Sequence, residues 1–410
     1  MARLLDISIF KRNRAFALLY SGQFVSFVGT MMSMVALPFQ VYTATHSTVM
    51  VGLLSLVQLL PLIFTALLGG VFADRYSRRH ILMVSDGVLA VCCIVLALNA
   101  TWHSPNIVII FVLASLMSAI TGLHRPSFEG LIQQMVGNED YKTVGALHAF
   151  QFSFCMIVGP AIAGIMIATF GVALTYWFDC FTFGYSVINI WLLKSVPNPS
   201  RGEPIPIFSA LKEGLEFAWS RPVLWGSYCV DFIAMVFAMP NALFPAIAPQ
   251  FGGVKTLGFL YAAPAVGSLL ISVWSGWTAG IKHEGQAIAI SAMAWGIAMM
   301  GFGWSHSLIW ALVFLACAGA ADAASGIFRV SLWNNSIPPE FRGRLAGIEM
   351  LSYLSGPKAG DMRAGLMAKY TGIGPAIISG GLLCVLGVGA CCYRLREFWD
   401  YRSGDNSEGK

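Results

Sequence analysis

The chain is 410 residues long, 57% hydrophobic and only 11% charged, with a formal net charge of +5 at pH 7. Soluble domains carry roughly 25% charged residues, so a water-facing fold of this size could not cover its own surface, which excludes an ordinary soluble protein. What remains is an all-α integral membrane protein whose positive excess meets anionic lipid rather than nucleic acid.

A membrane-spanning helix needs about 20 mainly apolar residues, because each backbone amide in hydrocarbon must find its partner within the segment. Twelve runs qualify, and their Gly, Pro and small residues suit helix packing in lipid rather than the alternating pattern of a barrel. The first, 16–42, follows a basic "KRNR". Its apolar stretch is longer than a signal-peptide core and lacks a convincing cleavage site, so it reads as a retained span. The second, 48–73, ends in "GGVFADRYSRRH" at 69–80, which sets Asp74, Arg75, Arg78 and Arg79 between it and the third span at 80–100. The fourth, 105–131, holds "GLHRPSFEG", with Arg125 one turn before Glu129. That arginine either pairs locally or binds an anionic ligand or tunes a proton carrier. In the fifth, 143–169, Pro160 stands between Gly159 and Gly164 in "CMIVGPAIAG". Proline bends a helix and small residues admit a neighbour, so the segment is either a pivot or an ordinary packing seam. The sixth, 172–194, carries Asp179 towards its outer end.

The longest polar break, 195–222, divides the spans six and six. It is rich in Pro at first, then places Phe208, Leu211, Leu215 and Trp219 at helical spacing, an amphipathic helix at the inner interface. The domain expectation is an N-terminal six-helix bundle over 1–194, a cytoplasmic linker over 195–222, and a C-terminal six-helix bundle with a cytoplasmic tail over 223–410. The remaining spans are 223–248 with Asp231, 255–281, 285–305, 307–332 with Asp322 and Arg329, 345–369 with Lys358, Asp361 and Arg363, and 374–396. Lys358 and Asp361 lie one turn apart on one face, where they either neutralise each other or line a polar cavity for an anionic substrate.

"GLHRPSFEG" at 122 and "GIFRVSLWN" at 326 keep Gly and Arg in register at an offset of 204, and Gly70 and Gly276 are offset by 206, which indicates two related halves. Repeated bundles of this kind enclose a site near the midplane and expose it to each side in turn. Ionisable groups inside spans are costly and are functional candidates by default. Here they are Arg125, Asp179, Asp231, Asp322, Lys358 and Asp361, with Arg329 and Arg363 as possible partners. A carboxylate that takes a proton outside and releases it inside couples export to the proton gradient. Gln23, Gln40, Gln58 and Gln151 offer hydrogen bonds, and Trp177 and Tyr228 offer stacking, though each also serves core packing. The nine cysteines, with adjacent pairs Cys92, Cys93 and Cys391, Cys392, lack ligand spacing and read as packing residues. No GxxxxGK[ST], HExxH or nucleophile elbow occurs, so neither an enzyme, a metal centre nor an ATP-driven pump is expected, and no cofactor.

"GGVFADRYSRR" resembles the signature between the second and third helices of the major facilitator superfamily. Gly70, Phe72, Ala73, Asp74, Arg75, Arg78 and Arg79 fill its places, and Ser77 replaces the usual Gly. The resemblance implies that Asp74 latches the inner gate against the amino-terminal dipole of a helix from the other half, with the bases as partners or as plain cytoplasmic anchors. "CMIVGPAIAG" is similar to the superfamily's antiporter motif, which accompanies export. Gly159, Pro160 and Gly164 match it, while Cys155 and Ala163 replace glycines. The stretch 21–48, the motif at 69 and "GFLYAAPAVGS" at 258–268 resemble the enterobactin (siderophore) exporter branch, which shares ancestry with macrolide efflux proteins. This implies a monomeric, proton-coupled antiporter in a bacterial inner membrane, exporting a siderophore or another small hydrophobic or anionic compound. The alternatives are a broad drug or macrolide efflux pump, and a non-transporting sensor or partner-binding subunit. The last would be expected to lose the gate and pivot motifs, which this chain keeps.

Orientation follows from the basic residues, which stay inside in short loops. With the amino terminus inside, only Lys255 and Lys369 of the 25 Lys and Arg lie outside, while Arg125, Arg329, Lys358 and Arg363 lie within spans. Both termini are therefore expected on the cytoplasmic face. Epitope tags at either end should both resist protease added to intact spheroplasts and both be cut after lysis.

Overall fold

The computed structural model describes residues 7–193, 213 and 216–403, without the side chains at 70, 71, 73, 74, 138, 279 and 339–352. Twelve long helices run in order: α1 Arg14–Thr45, α2 Thr48–Arg75, α3 Arg78–Ala100, α4 Ile107–Met135, α5 Tyr141–Phe170, α6 Val172–Leu192, α7 Pro222–Ala238, α8 Val254–Val273, α9 Glu284–Trp304, α10 Leu308–Ser336, α11 Pro339–Thr371 and α12 Ile373–Arg394. Short helices Ile9–Arg12 and Arg396–Trp399 flank them, and no strand occurs among the described residues. Each predicted span coincides with one long helix. Ten of these segments are long and apolar enough to cross a membrane. The two that fall short by that measure are α6 and α11, which carry Asp179 and the Lys358, Asp361, Arg363 cluster.

Two spans end differently from their sequence expectation. The seventh breaks after Ala238 and continues through three short turns, Asn241–Leu243, Phe244–Ile247 and Ala248–Phe251. Pro240 has no N–H to donate, while Pro245 and Pro249 each sit at the first positions of a new turn, where a missing N–H costs nothing. The eighth stops at Val273 and passes into a 3-10 turn over Ser275–Gly280. Of the expected amphipathic helix, residues 216–219 are helical, and Trp219 is exposed and packs its ring 4.4 Å from that of Trp225. Phe208, Leu211 and Leu215 lie outside the described residues.

The chain forms two compact units. The first comprises Met1–His46, Val57–Pro204 and Gly253–Ala262, the second Ser47–Leu56, Ile205–Gly252 and Ala263–Lys410. In the first unit the short helix Ile9–Arg12 and helices α1, α3, α4, α5 and α6 bury a core of Ile9, Phe16, Leu19, Leu82, Leu131, Leu147 and Ile190. Asn13 fixes the start of α1, accepting from the Phe16 amide at 3.0 Å and donating to the Met135 carbonyl at 2.7 Å. Small residues set the closest approaches. A Cβ at Gly159 would stand 2.5 Å from Met31 Cβ on α1, and one at Gly164 would stand 2.8 Å from the Cα of Gly258 on α8. Helix α5 runs unbroken through Pro160 between these two seams. In the second unit Phe398 of the last short helix is fully buried against the glycine surface of α7 at Gly226.

Both seams leave no room for a branched side chain, and overpacking of this kind costs about 1–3 kcal/mol. Gly159→Leu and Gly164→Val should therefore each lower the thermal unfolding temperature of the purified protein in detergent, whereas Gly145→Ala, at a position with open space around it, should not.

Candidate functional site

Helices α7 and α10 bring three of the sequence-predicted charges together in the second unit. Arg329 Nη1 pairs directly with Asp231 Oδ1, and its Nη2 lies 3.8 Å from Asp322 Oδ1. Asp322 and Arg329 are seven residues apart on α10, two helical turns, so they share a face. The two acids are not equivalent. The Asp231 side chain is 10% exposed and held by the guanidinium, while that of Asp322 is 38% exposed and only loosely approached. With one cation between two carboxylates, the cluster carries an unneutralised negative charge when both acids are ionised. It opens on a cavity of about 170 Å³ lined by Ser227, Tyr228, Asp231, Arg329, Trp333 and Tyr353 among others. The Tyr228 and Trp333 rings lie 4.9 Å apart. The buried Ser227 Oγ and Trp333 Nε1 have no hydrogen-bond partner among the described residues, so the wall offers polar hooks as well as aromatic faces.

On the eleventh helix the hydrogen-bond partners of Asp361 lie on other elements. Asp361 spends both carboxylate oxygens on structure: Oδ2 accepts from Ser55 Oγ at 2.9 Å, and Oδ1 accepts from the Ala242 amide at 2.9 Å. That amide lies in the break after α7, where helix geometry no longer supplies it with a partner, and a backbone gap in hydrocarbon has to be closed by neighbours. Lys358 stands one turn earlier on α11. Arg363 reaches α12, donating to the Ala376 carbonyl at 3.4 Å.

In the first unit Asp179 is fully buried among donors from three helices: Ser33 Oγ, Cys93 Sγ at 3.5 Å and Thr182 Oγ1 at 3.1 Å. Arg125 pairs with Glu129 at 3.2 Å, both more than half exposed. Gln40 accepts from Tyr176 Oη at 2.8 Å, Gln151 is buried, and Trp177 is half-buried on α6. The Gln58 carbonyl accepts from Ser118 Oγ at 2.8 Å. Sequence reasoning missed a second buried acid, Asp86 on α3. It accepts from Gln23 Nε2 at 3.0 Å and Ser186 Oγ at 2.6 Å, and faces His124 Nε2 at 3.1 Å. The signal was present, since Asp86 lies as deep in its apolar run as Asp231 does in its own.

The paired bases after α2 act as helix-end partners within the first unit. Arg78 donates to the Gly130 carbonyl at 2.7 Å, and Arg79 donates to the Ile190 and Trp191 carbonyls at 3.0 and 2.7 Å, placing its charge at the negative end of α6. Arg75 is exposed. Gly70 lies on α2, and the side chain of Asp74 lies outside the described residues. Among the described residues no group of three His, Cys, Asp or Glu is placed to hold a metal ion.

The family model described as transmembrane secretion effector matches residues 9–404. The chain is 27% identical over 387 residues to enterobactin exporter EntS of Shigella boydii serotype 18, covering 94% of this chain and 93% of that protein. The same identity and coverage hold for enterobactin exporter EntS of Escherichia coli O1:K1. Among solved structures, a POT family transporter in complex with 5-aminolevulinic acid superposes with a TM-score of 0.74 at 12% identity, covering 94% of this chain and 97% of the other. Nucleoside transporter NupG does so with a TM-score of 0.67 at 14% identity, covering 94% and 98%. These likenesses give the major facilitator fold of twelve transmembrane helices in two pseudo-symmetric six-helix bundles.

Removing one partner of a buried ion pair leaves an uncompensated charge, a loss of about 3–5 kcal/mol, while replacing both by apolar groups is far milder. Arg329→Met should therefore strongly destabilise the purified protein, and Arg329→Met combined with Asp231→Leu should restore most of the loss, as read by unfolding in graded sodium dodecyl sulfate.

Proposed function

Because the chain belongs to the transmembrane secretion effector family, a family of multi-pass membrane transporters and not of enzymes, we propose that it is a proton-coupled antiporter that exports a siderophore-like small molecule by alternating access. It sits in a bacterial inner membrane with both termini cytoplasmic. The observation that carries the coupling is Arg329 standing between two acids of unequal grip beside an aromatic cavity. Asp231 anchors the guanidinium. Asp322, looser and more open, is the carboxylate free to exchange. A hydroxyl of the substrate donates most strongly to Asp322 when that acid is ionised, and a proton on Asp322 leaves only a weaker neutral acceptor and adds a competing donor. Competition of cargo and proton for one carboxylate is exchange, the requirement of an antiporter. Arg329 and the rings of Tyr228, Trp333 and Tyr353 suit a molecule that is aromatic, hydroxyl-rich and anionic, as a catecholate siderophore is.

Asp74 and the bases around it serve as the inner gate in this reading. Gly159 and Gly164 serve as the pivot, and their tight seams on α1 and α8 support that role. Asp179 and Asp361 hold helices together rather than carry protons, since their carboxylates are saturated with donors.

Inside-out vesicles with an imposed pH gradient test the reading with iron-free enterobactin as probe. Wild type should accumulate it when the lumen is acidic. Asp322→Asn should lose the dependence on the gradient by 10-fold or more, with Asp361→Asn and wild type sharing one pH profile. Accumulation of a macrolide in place of the siderophore would move the cargo to the drug-efflux class. Gradient-driven flux that survives both Asp231→Asn and Asp322→Asn would remove the coupling assignment.

A further inference from the structure

The first unit contains a titratable pair that the reading above leaves unused. Asp86 is fully buried on α3, and His124 lies opposite it on α4. The two carboxylate oxygens are committed differently. Oδ2 accepts from Gln23 Nε2 on α1 at 3.0 Å and from Ser186 Oγ on α6 at 2.6 Å, and Gln23 Nε2 also donates to Ser186 Oγ at 2.9 Å. Oδ1 faces His124 Nε2 at 3.1 Å and has no hydrogen-bond donor aligned to it among the described residues. One oxygen is thus locked as an acceptor, and the other shares its approach with a ring nitrogen that can hold or give up a hydrogen. The pair is also polarised in access: the Asp86 side chain is 1% exposed and that of His124 18% exposed. Of the two side chains, the imidazole is the more accessible.

Among the described residues no permanent cation is paired with Asp86. On α1 the neighbours are Gln23 and Tyr20, the latter donating to the Leu147 carbonyl at 2.8 Å. On α6 the next acid is Asp179, seven residues before Ser186 and closed by its own donors. On α5 His148 is half-buried and separated from His124 by the Phe128 ring, which stacks on both at 6.2 and 5.4 Å. On α4 Arg125 and Glu129 pair with each other in the open. On α3 itself Arg78 and Arg79 are bound to carbonyls at helix ends, and Cys93 donates to Asp179. On α2 the charges are Arg75, which is exposed, and Asp74. A lone carboxylate in such a place needs a counter-charge, and His124 supplies one only when protonated.

We propose that Asp86 and His124 form a second proton-binding station, separate from the Asp231, Asp322 and Arg329 cluster, which takes up one proton through His124 and holds it between Nε2 and Oδ1. Loaded, the pair is imidazolium against carboxylate. Unloaded, it is neutral imidazole beside a carboxylate retained by Gln23 and Ser186. One proton enters and the same proton leaves, and no other bond changes. Because the pair and its two supports come from α1, α3, α4 and α6, the proton alters the charge binding four helices of one unit. The link of this station to transport rests on the antiport reading above, while its occupancy by a proton does not.

The test uses the full chain in lipid nanodiscs, labelled with nitrogen-15 at histidine, with His124 assigned by His124→Gln. The ring-nitrogen signals of His124 are followed over about pH 5–8. Asp86→Asn, which keeps the size and the Ser186 contact but removes the counter-charge, should lower its midpoint by about one pH unit or more. Ser186→Ala, which frees Oδ2 but keeps the charge, should move it far less and controls for loosened packing. If Asp86→Asn does not fold, Asp86→Glu is expected to titrate with a displaced midpoint. In the vesicle assay Asp86→Asn and His124→Gln should shift the pH profile of enterobactin flux by a similar amount. An imidazole that stays neutral across the range, or a midpoint indifferent to Asp86, overturns the station. A displaced midpoint with an unchanged flux profile overturns its part in transport. Failure of wild-type vesicles to carry enterobactin counts against the cargo reading alone, since the histidine titration stands without it.

Discussion

A polar group inside this fold is costly unless it has a partner, and that single requirement explains most of what the helices do. In hydrocarbon no water is at hand to satisfy an amide, a carboxylate or a guanidinium, so each must be answered by the chain itself. The answers are of three kinds. Arg78 and Arg79 give their charges to helix-end carbonyls. Asp179 and Asp361 saturate themselves with hydroxyl and amide donors, which makes them staples. Asp231, Asp322 and Arg329 answer one another incompletely, with Asp231 and Arg329 lining a cavity and Asp322 left partly open.

The incompleteness separates function from structure better than burial does. Asp179 and Asp231 are both buried acids in membrane helices, and by sequence they look alike. Their neighbours decide the difference. Three neutral donors around Asp179 hold its carboxyl group in place, whereas Asp231 depends on one cation that a second acid also approaches. A cation with two claimants can be redistributed by a proton or by cargo.

Much of this was legible in the sequence. Apolar run length located all twelve helices, because the thickness of the bilayer imposes it. The charges inside those runs marked Asp231 and Asp322 as candidates and Arg329 as one possible partner, without showing that the three meet. Three things were less visible. The interruption of the seventh helix depends on Pro240, and in a run this hydrophobic a proline reads as easily as a kink within a continuous helix. The use of Asp361 depends on Ala242, 119 residues away, and periodicity on α11 suggested Lys358 because only local neighbours can be counted along a chain. The pairing of Asp86 with His124 escaped because the two stand on different helices, 38 residues apart in the chain.

The interrupted seventh helix also bears on how the chain is made. Its two loose ends are tied by later arrivals: the Ala238 carbonyl accepts from Trp295 Nε1, 57 residues on, and the Ala242 amide waits for Asp361. A ribosome delivers the chain from its amino terminus. For most of the synthesis of the second half, the stub beyond Ala238 therefore sits in the bilayer, or in the insertion machinery, with its main chain unanswered. Biogenesis of this protein has a built-in debt that is settled only when the eleventh helix emerges.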